Sequence, residues 1–132
     1  MAMDTMDSLR DRIPDFGGYL NEEDRRRSDE LVRSYVGEAI AVLQDRVAPA
    51  TPDPRFERTL LRAGFMNQIA FKAFEYAALD EARIYAVSRN DLRLVNLADR
   101  APTTDAKDVD AYLAEVAAAF DARDRGMESP AA

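Results

Sequence analysis

The chain contains no histidine and no cysteine among its 132 residues. Histidine is the side chain that titrates near neutral pH, and cysteine supplies the thiolate for nucleophilic, redox and soft-metal chemistry. Their absence excludes histidine-based triads, Cys–His pairs, zinc fingers, haem ligation through either residue and thiol redox switches. Catalysis is left with carboxylate, hydroxyl, amide, arginine and lysine groups, and Lys72 and Lys107 are the only lysines.

Glycine and proline are also scarce, with 5 and 6 residues. Their scarcity favours helices, because both residues interrupt helical structure. Hydrophobic residues make up 47% and charged residues 33% of the chain, as in folded globular proteins, and 132 residues are enough for one domain. Apolar runs of signal-peptide length or of the about 20 residues of a membrane span are missing. We therefore expect a cytoplasmic protein without membrane contact.

The charge balance is acidic, with a formal net charge of −7. Such a chain repels the phosphate backbone of nucleic acids, so we expect no nucleic-acid partner. The only basic cluster, Arg25 to Arg27, lies among acidic neighbours. That arrangement is typical of a solvated helix face with local ion pairs.

The order of helical signals predicts an irregular lead-in over 1–20, a single helical-bundle domain over 21–126 and a flexible tail over 127–132. One helical turn is expected near Ser8–Arg12, and Phe16 and Tyr19 are expected to anchor the lead-in on the bundle. Asn21 is a good N-cap, and the helix after it should run to about Val47. Its apolar stripe consists of Val32, Tyr35, Val36, Ala39, Ile40, Leu43 and Val47.

The longest helical pattern covers 55–88 and predicts a central helix. Asp53 before Pro54 is typical of a cap followed by proline at the first helical position. Beyond 88 the pattern leaves two alternatives: Asn90 caps a new short helix, or the long helix continues to Asp99. Pro102 ends either version.

Thr103 or Thr104 should cap a last helix, which Gly126 should end. The apolar stripe of this helix consists of Val109, Tyr112, Leu113, Val116, Ala117 and Phe120. The fold class is therefore all-α, a small helical bundle of about four helices with a long central helix.

A second apolar row runs through the otherwise polar side of the predicted central helix. A helix that is apolar nearly all round is usually buried on both sides, and so short a chain has little material to cover both. We therefore predict a non-enzymatic protein-interaction module that forms a homodimer. The same apolar row is compatible with a different protein partner. The predicted interface consists of Leu61, Phe65, Ile69, Lys72, Tyr76 and Leu79. In the alternative, the row is covered within one chain by residues 1–20 or 89–100.

Asn67 and Glu81 lie on the apolar side of the same predicted helix. Buried polar groups are normally satisfied by neighbouring helices, so a structural role comes first. In the alternative, they are the polar groups of an aromatic small-molecule pocket. The candidate ligand-binding residues are Phe56, Asn67, Phe74, Glu81 and Tyr85.

Enzyme chemistry ranks below both interpretations. Dimetal carboxylate bundles normally use a Glu-x-x-His pair, and no histidine is present. Asp121, Asp124 and Gly126 lack the ligand alternation of a calcium loop. Lys72 as a Schiff-base lysine would need a buried apolar site. We therefore predict no catalytic residue, no metal and no cofactor, and an enzyme using carboxylates alone is the last alternative.

Overall fold

A computed structural model describes residues 4–19, 21–49, 53–64 and 81–127 of the chain. The elements in these ranges are five α-helices and two short 3-10 turns, without strands, so the predicted all-α fold is confirmed. The helices are α1 (Thr5–Arg12), α2 (Glu22–Val47), α3 (Pro54–Ala63), α4 (Glu81–Arg100) and α5 (Val109–Met127). The 3-10 turns cover Ala101–Thr103 and Ala106–Asp108, between α4 and α5.

Helix α1 is longer than the single turn predicted in the lead-in. Asp4 caps it by accepting a hydrogen bond of 2.8 Å from the backbone N–H of Asp7, and Leu9 is its fully buried residue. The expected anchors Phe16 and Tyr19 are both buried, with their rings 5.7 Å apart in an edge-to-face arrangement. The lead-in is thus part of the core.

Helix α2 follows its sequence signals closely. The side chain of Asn21 accepts a 2.8 Å hydrogen bond from the backbone N–H of Asp24, and the helix ends at Val47 as predicted. The stripe faces inward: Val32, Val36, Ile40 and Leu43 are fully buried, and Tyr35, Ala39 and Val47 pack against them. Both the cap and the stripe are confirmed.

The predicted continuous helix over 55–88 is wrong. Helix α3 begins as expected, with Asp53 accepting a 3.0 Å hydrogen bond from the N–H of Arg55 and Pro54 in the first turn. It ends at Ala63, where Gly64 is the C-cap and its N–H bonds to the carbonyl of Leu60 at 2.9 Å. Glycine in a helix interior costs about 1 kcal/mol relative to alanine, so Gly64 is an unfavourable position within the predicted helix.

Helix α4 passes through Asn90 without a break. The Asn90 side chain donates to the carbonyl of Ala86 at 2.9 Å, within the same helix. The alternative of a new cap at Asn90 is therefore wrong. The helix that contains Asn90 continues to Arg100, one residue beyond the predicted end at Asp99, but it is described only from Glu81 onward.

The start of the last helix also differs from its prediction. Thr103 and Thr104 bond back to the carbonyl of Arg100 at 3.2 and 2.8 Å, so they close the end of α4 and do not cap α5. Helix α5 begins at Val109 and continues past Gly126 to Met127. Its stripe is buried at every predicted position except Ala117, which is partly exposed.

The central position among the described helices belongs to α4. It packs against α1, α2 and α5, while α3 lies between α2 and α5. The close approach of α2 and α3 occurs at Gly37, where an added Cβ would lie 3.7 Å from the Cβ of Ala63. This packing brings the inner faces of α2, α4 and α5 together around one polar cluster.

Candidate functional site

Four charged side chains lie inside the core where α2, α4 and α5 meet. Asp29 and Arg33 come from α2, Asp91 from α4 and Arg123 from α5, and each is at most 2% exposed. Fully buried charges are rare in proteins unless they are paired. We call these four residues together with Tyr19 the buried polar cluster.

Arg123 is the centre of the cluster because it contacts carboxylates from two helices. Its Nε lies 2.5 Å from Oδ1 of Asp91, and its Nη1 lies 2.7 Å from Oδ1 of Asp29. One guanidinium therefore joins α5 to both α4 and α2.

Arg33 completes the alternation of charges on the other side of Asp29. Its Nε donates to the two Asp29 oxygens at 3.0 and 3.2 Å. Its Nη1 donates to the backbone carbonyl of Arg62 at 2.8 Å, near the end of α3. The cluster thus also holds the C-terminal turn of α3, whose last carbonyls have no helical partner.

Tyr19 connects the lead-in to the same cluster. Its hydroxyl donates to Oδ2 of Asp91, and Nη2 of Arg123 lies 3.4 Å from the hydroxyl oxygen. Nearby, the hydroxyl of Ser28 donates to the carbonyl of Gly18 at 2.7 Å. These bonds fix the backbone turn that positions the Tyr19 ring.

Burial sets the protonation states. Burial, and then the negative charge of Asp91, raises the pKa of Tyr19 well above its ordinary value of 10.0, so the hydroxyl keeps its proton and donates it. Burial also raises the pKa of the Asp91 carboxyl, against the opposing pull of Arg123. Burial alone would lower the pKa of Arg123, but the negative charges of Asp91 and Asp29 outweigh it, and the guanidinium stays charged.

The alternation of two cations and two anions gives the cluster no net charge. Removing two opposite charges from water together is far less costly than burying either alone. A second group of ion pairs lies beside Arg33: Nη2 of Arg62 lies 2.6 Å from Asp121 and 2.9 Å from Asp124. The guanidinium groups of Arg33 and Arg62 both lie over the ring of Phe120, at 5.4 and 5.7 Å. The buried polar cluster therefore links helices to one another through ion pairs and hydrogen bonds.

The predicted aromatic pocket is only partly covered by the described residues. Phe56 is fully buried in the core. Tyr85 is 59% exposed, and Glu81 is exposed at the first residue of α4, so the expectation of a buried Glu81 is wrong. The structure does not bring these three side chains into one enclosed site. Asn67 and Phe74 lie outside the described residues.

The predicted interface is described at one position. Leu61 lies on α3 and is 52% exposed, while Phe56 and Ala63 of the same helix are buried. The other predicted interface residues lie outside the described part of the chain. They are Phe65, Ile69, Lys72, Tyr76 and Leu79.

Sequence reasoning missed the buried polar cluster, although a signal was present. Asp29, Asp91 and Arg123 each fall on the apolar stripe of their helix: Arg123 follows Val116 and Phe120 at helical spacing, and Asp91 precedes Leu94 at the same spacing. A charge on a stripe that faces the core needs an opposite charge there. Three such positions on three helices indicate one shared cluster.

Comparisons with protein-family models, with curated proteins and with solved structures gave no match to this chain. Within the described ranges, no three acidic side chains converge as a metal site would require. The described helices include none that is both long and apolar enough to span a membrane.

Proposed function

We propose that this protein is a non-enzymatic helical module that associates with a second copy of itself, with the exposed face of α3 as part of the contact. The exposure of Leu61 carries the proposal. The partner is a homodimer mate, because two-fold pairing is the commonest assembly of soluble proteins.

The two faces of α3 support this role. One face packs Phe56 and Ala63 into the core, and Leu61 lies on the other, with 52% of its surface open to solvent. Full burial of a leucine side chain contributes about 1.5–3 kcal/mol, so covering Leu61 on dimerisation would stabilise the pair. In sequence the next predicted interface residue, Phe65, is four positions further on.

The termination of α3 at Ala63 changes the form of the proposal. Leu61 lies in the last turn of α3, which ends at Ala63, so α3 alone contributes only one of the predicted interface residues. The contact we propose is therefore the end of α3 together with the chain that follows it, and not a coiled coil along one rod.

The buried polar cluster supports a structural role for the charged residues. Asp29, Asp91 and Arg123 each have an opposite charge within 3.0 Å and are shielded from solvent. A general acid or base must reach its substrate within hydrogen-bond distance. These charges pair with one another and join the helices that carry them.

Sedimentation equilibrium tests the proposal with a matched pair of variants. We expect the parent chain to dimerise between about 1 and about 200 µM, and Leu61→Glu to raise the dimer dissociation constant by at least about tenfold. Val42→Glu is the control, since Val42 is also an exposed apolar residue, at 59%, but on α2. A monomeric parent over the whole range, or equal weakening by both substitutions, would overturn the proposal.

A further inference from the structure

A row of arginines lies along one face of α4, away from the buried polar cluster. Arg89, Arg93 and Arg100 are exposed, and their spacing of four and seven residues places them on the same side of the helix. Asn96 falls between them on the same side. We call the three arginines the arginine row.

The row lines a groove between α4 and α5 with a volume of about 340 Å³. Leu92 and Leu97 lie at the same groove, and Glu115 lines it from α5. Three cations therefore face one carboxylate, in a chain whose formal net charge is −7. A local excess of positive charge in an acidic protein attracts small anions.

The arginines differ in how they are engaged. Arg100 pairs with Glu115, at 3.0 Å between Nη1 and Oε2. Arg89 lies over the ring of Tyr85 at 5.6 Å, which leaves the edge of its guanidinium fork open. Arg93 makes no hydrogen bond or ion pair with any residue in the described ranges.

We propose that this groove binds a small organic dianion, whose charged groups pair with the arginine row while its apolar part lies on Leu92 and Leu97. Carboxylates and phosphates match the planar fork of a guanidinium and accept two parallel hydrogen bonds from it. The volume suits a small ligand, since such sites usually span about 300–1,000 Å³. Glu115 already occupies Arg100 in the way a ligand carboxylate would.

Calorimetric titration with four probes tests the ligand class. The probes are adipate, an alkane bisphosphonate of the same length, hexanediol and acetate. We expect saturable binding of at least one dianion, much weaker binding of acetate and none of hexanediol. The stronger of the two dianions identifies carboxylate or phosphoryl as the preferred group. Binding of hexanediol equal to that of the dianions, or no binding of any probe at millimolar concentration, would overturn the proposal.

Three substitutions locate the binding in the groove. Arg93→Gln is expected to weaken dianion binding about tenfold. Glu115→Gln is expected to tighten it several-fold, because it frees Arg100 and removes the competing carboxylate. Arg58→Gln is the matched control, since Arg58 is an exposed arginine on α3. Equal weakening by Arg58→Gln and Arg93→Gln, or unchanged or weaker binding by Glu115→Gln, would contradict it. Thermal melts by circular dichroism check that all variants fold.

Discussion

The guanidinium of Arg123 on α5 lies 2.5 Å from the carboxylate of Asp91 on α4, and both side chains are completely shielded from solvent. A second carboxylate, that of Asp29 on α2, lies 2.7 Å from the same guanidinium. The three helices therefore share one buried cation. Loss of that cation should affect stability more than loss of any surface charge.

Replacement of Arg123 by methionine is expected to destabilise the protein by about 3 to 5 kcal/mol, because it leaves the buried carboxylate of Asp91 without a cation. Urea denaturation at neutral pH measures the loss. Because burial favours the protonated carboxyl of Asp91, the penalty should shrink as the pH falls and that group takes up a proton. The control is Arg125→Met, at an exposed arginine of the same helix, which should change stability by less than about 0.5 kcal/mol. Equal effects of the two substitutions would contradict the structural role of the buried cluster.

Replacement of Tyr19 by phenylalanine removes the hydroxyl that donates to Asp91. A buried acceptor that loses its donor costs about 1 to 3 kcal/mol, and the phenylalanine ring keeps the apolar contact with Phe16. We expect a loss in that range by urea denaturation. The matched substitution is Tyr85→Phe on the exposed surface of α4, which should be close to neutral. A stable Tyr19→Phe variant would mean that Arg123 alone satisfies Asp91.

Alkaline pH is expected to destabilise the fold, because three tyrosines have higher pKa values in the folded state than in the unfolded state. Burial raises the pKa of Tyr112 to about 12. Burial and the hydrogen bond to Asp99 raise the pKa of Tyr35 to about 12, and the pKa of Tyr19 lies well above 10.0. Unfolded tyrosines lose their protons near pH about 10, so the folded state binds more protons above that value.

The free energy of unfolding should therefore be unaffected by these groups below pH about 10 and fall as the pH rises from about 10 to about 12. Urea midpoints at intervals of pH across this range measure the slope. A Tyr112→Phe variant should lose stability less steeply than the parent, because one proton fewer is involved. A free energy that stays constant or rises over the interval is the result that would refute the raised pKa values.

Gly18 is expected to resist substitution because its φ angle is +85°. A side chain in this left-handed conformation costs about 1 to 2 kcal/mol, and a Cβ would also lie 3.2 Å from Cε of Met6. Gly18→Ala should lower the midpoint of thermal unfolding accordingly. Gly17→Ala is the neighbouring control, since its φ is not positive and its Cβ would meet Asp24 at 3.4 Å. A Gly18→Ala variant as stable as Gly17→Ala would contradict the described turn.

Local signals in the sequence predicted the parts of the fold that depend on neighbouring residues. The caps at Asn21 and Asp53 use a side-chain oxygen and a backbone N–H two or three positions away, and the stripe of α2 follows from helical periodicity. The end of α3 was missed, because periodicity alone does not weigh the single Gly64 against an otherwise strong pattern. Helix α1 was predicted only as a single turn near Ser8–Arg12, because its apolar content is low and its burial depends on contact with α4.

The candidate site was less predictable than the fold. The buried polar cluster joins positions as far apart as Tyr19 and Arg123, and its pairing depends on the relative placement of helices that sequence spacing does not contain. Arg123 appears in sequence as a cation near the end of a helix, where it would favour the negative end of the dipole. Its burial shows that it pairs with Asp29 and Asp91 inside the core instead. The signal in the sequence was its place on the apolar stripe after Val116 and Phe120.

The proposed self-association is tested most directly by distance measurements between spin labels. Because the chain has no cysteine of its own, Leu61→Cys and Val42→Cys each give one unique labelling position. Pulsed electron–electron double resonance on the singly labelled protein then reports only distances between labels on different copies. We predict a defined distance between labels at position 61 that is shorter than the distance between labels at position 42. Absence of any dipolar signal between copies, or a shorter distance at position 42, would contradict dimerisation through the exposed face of α3.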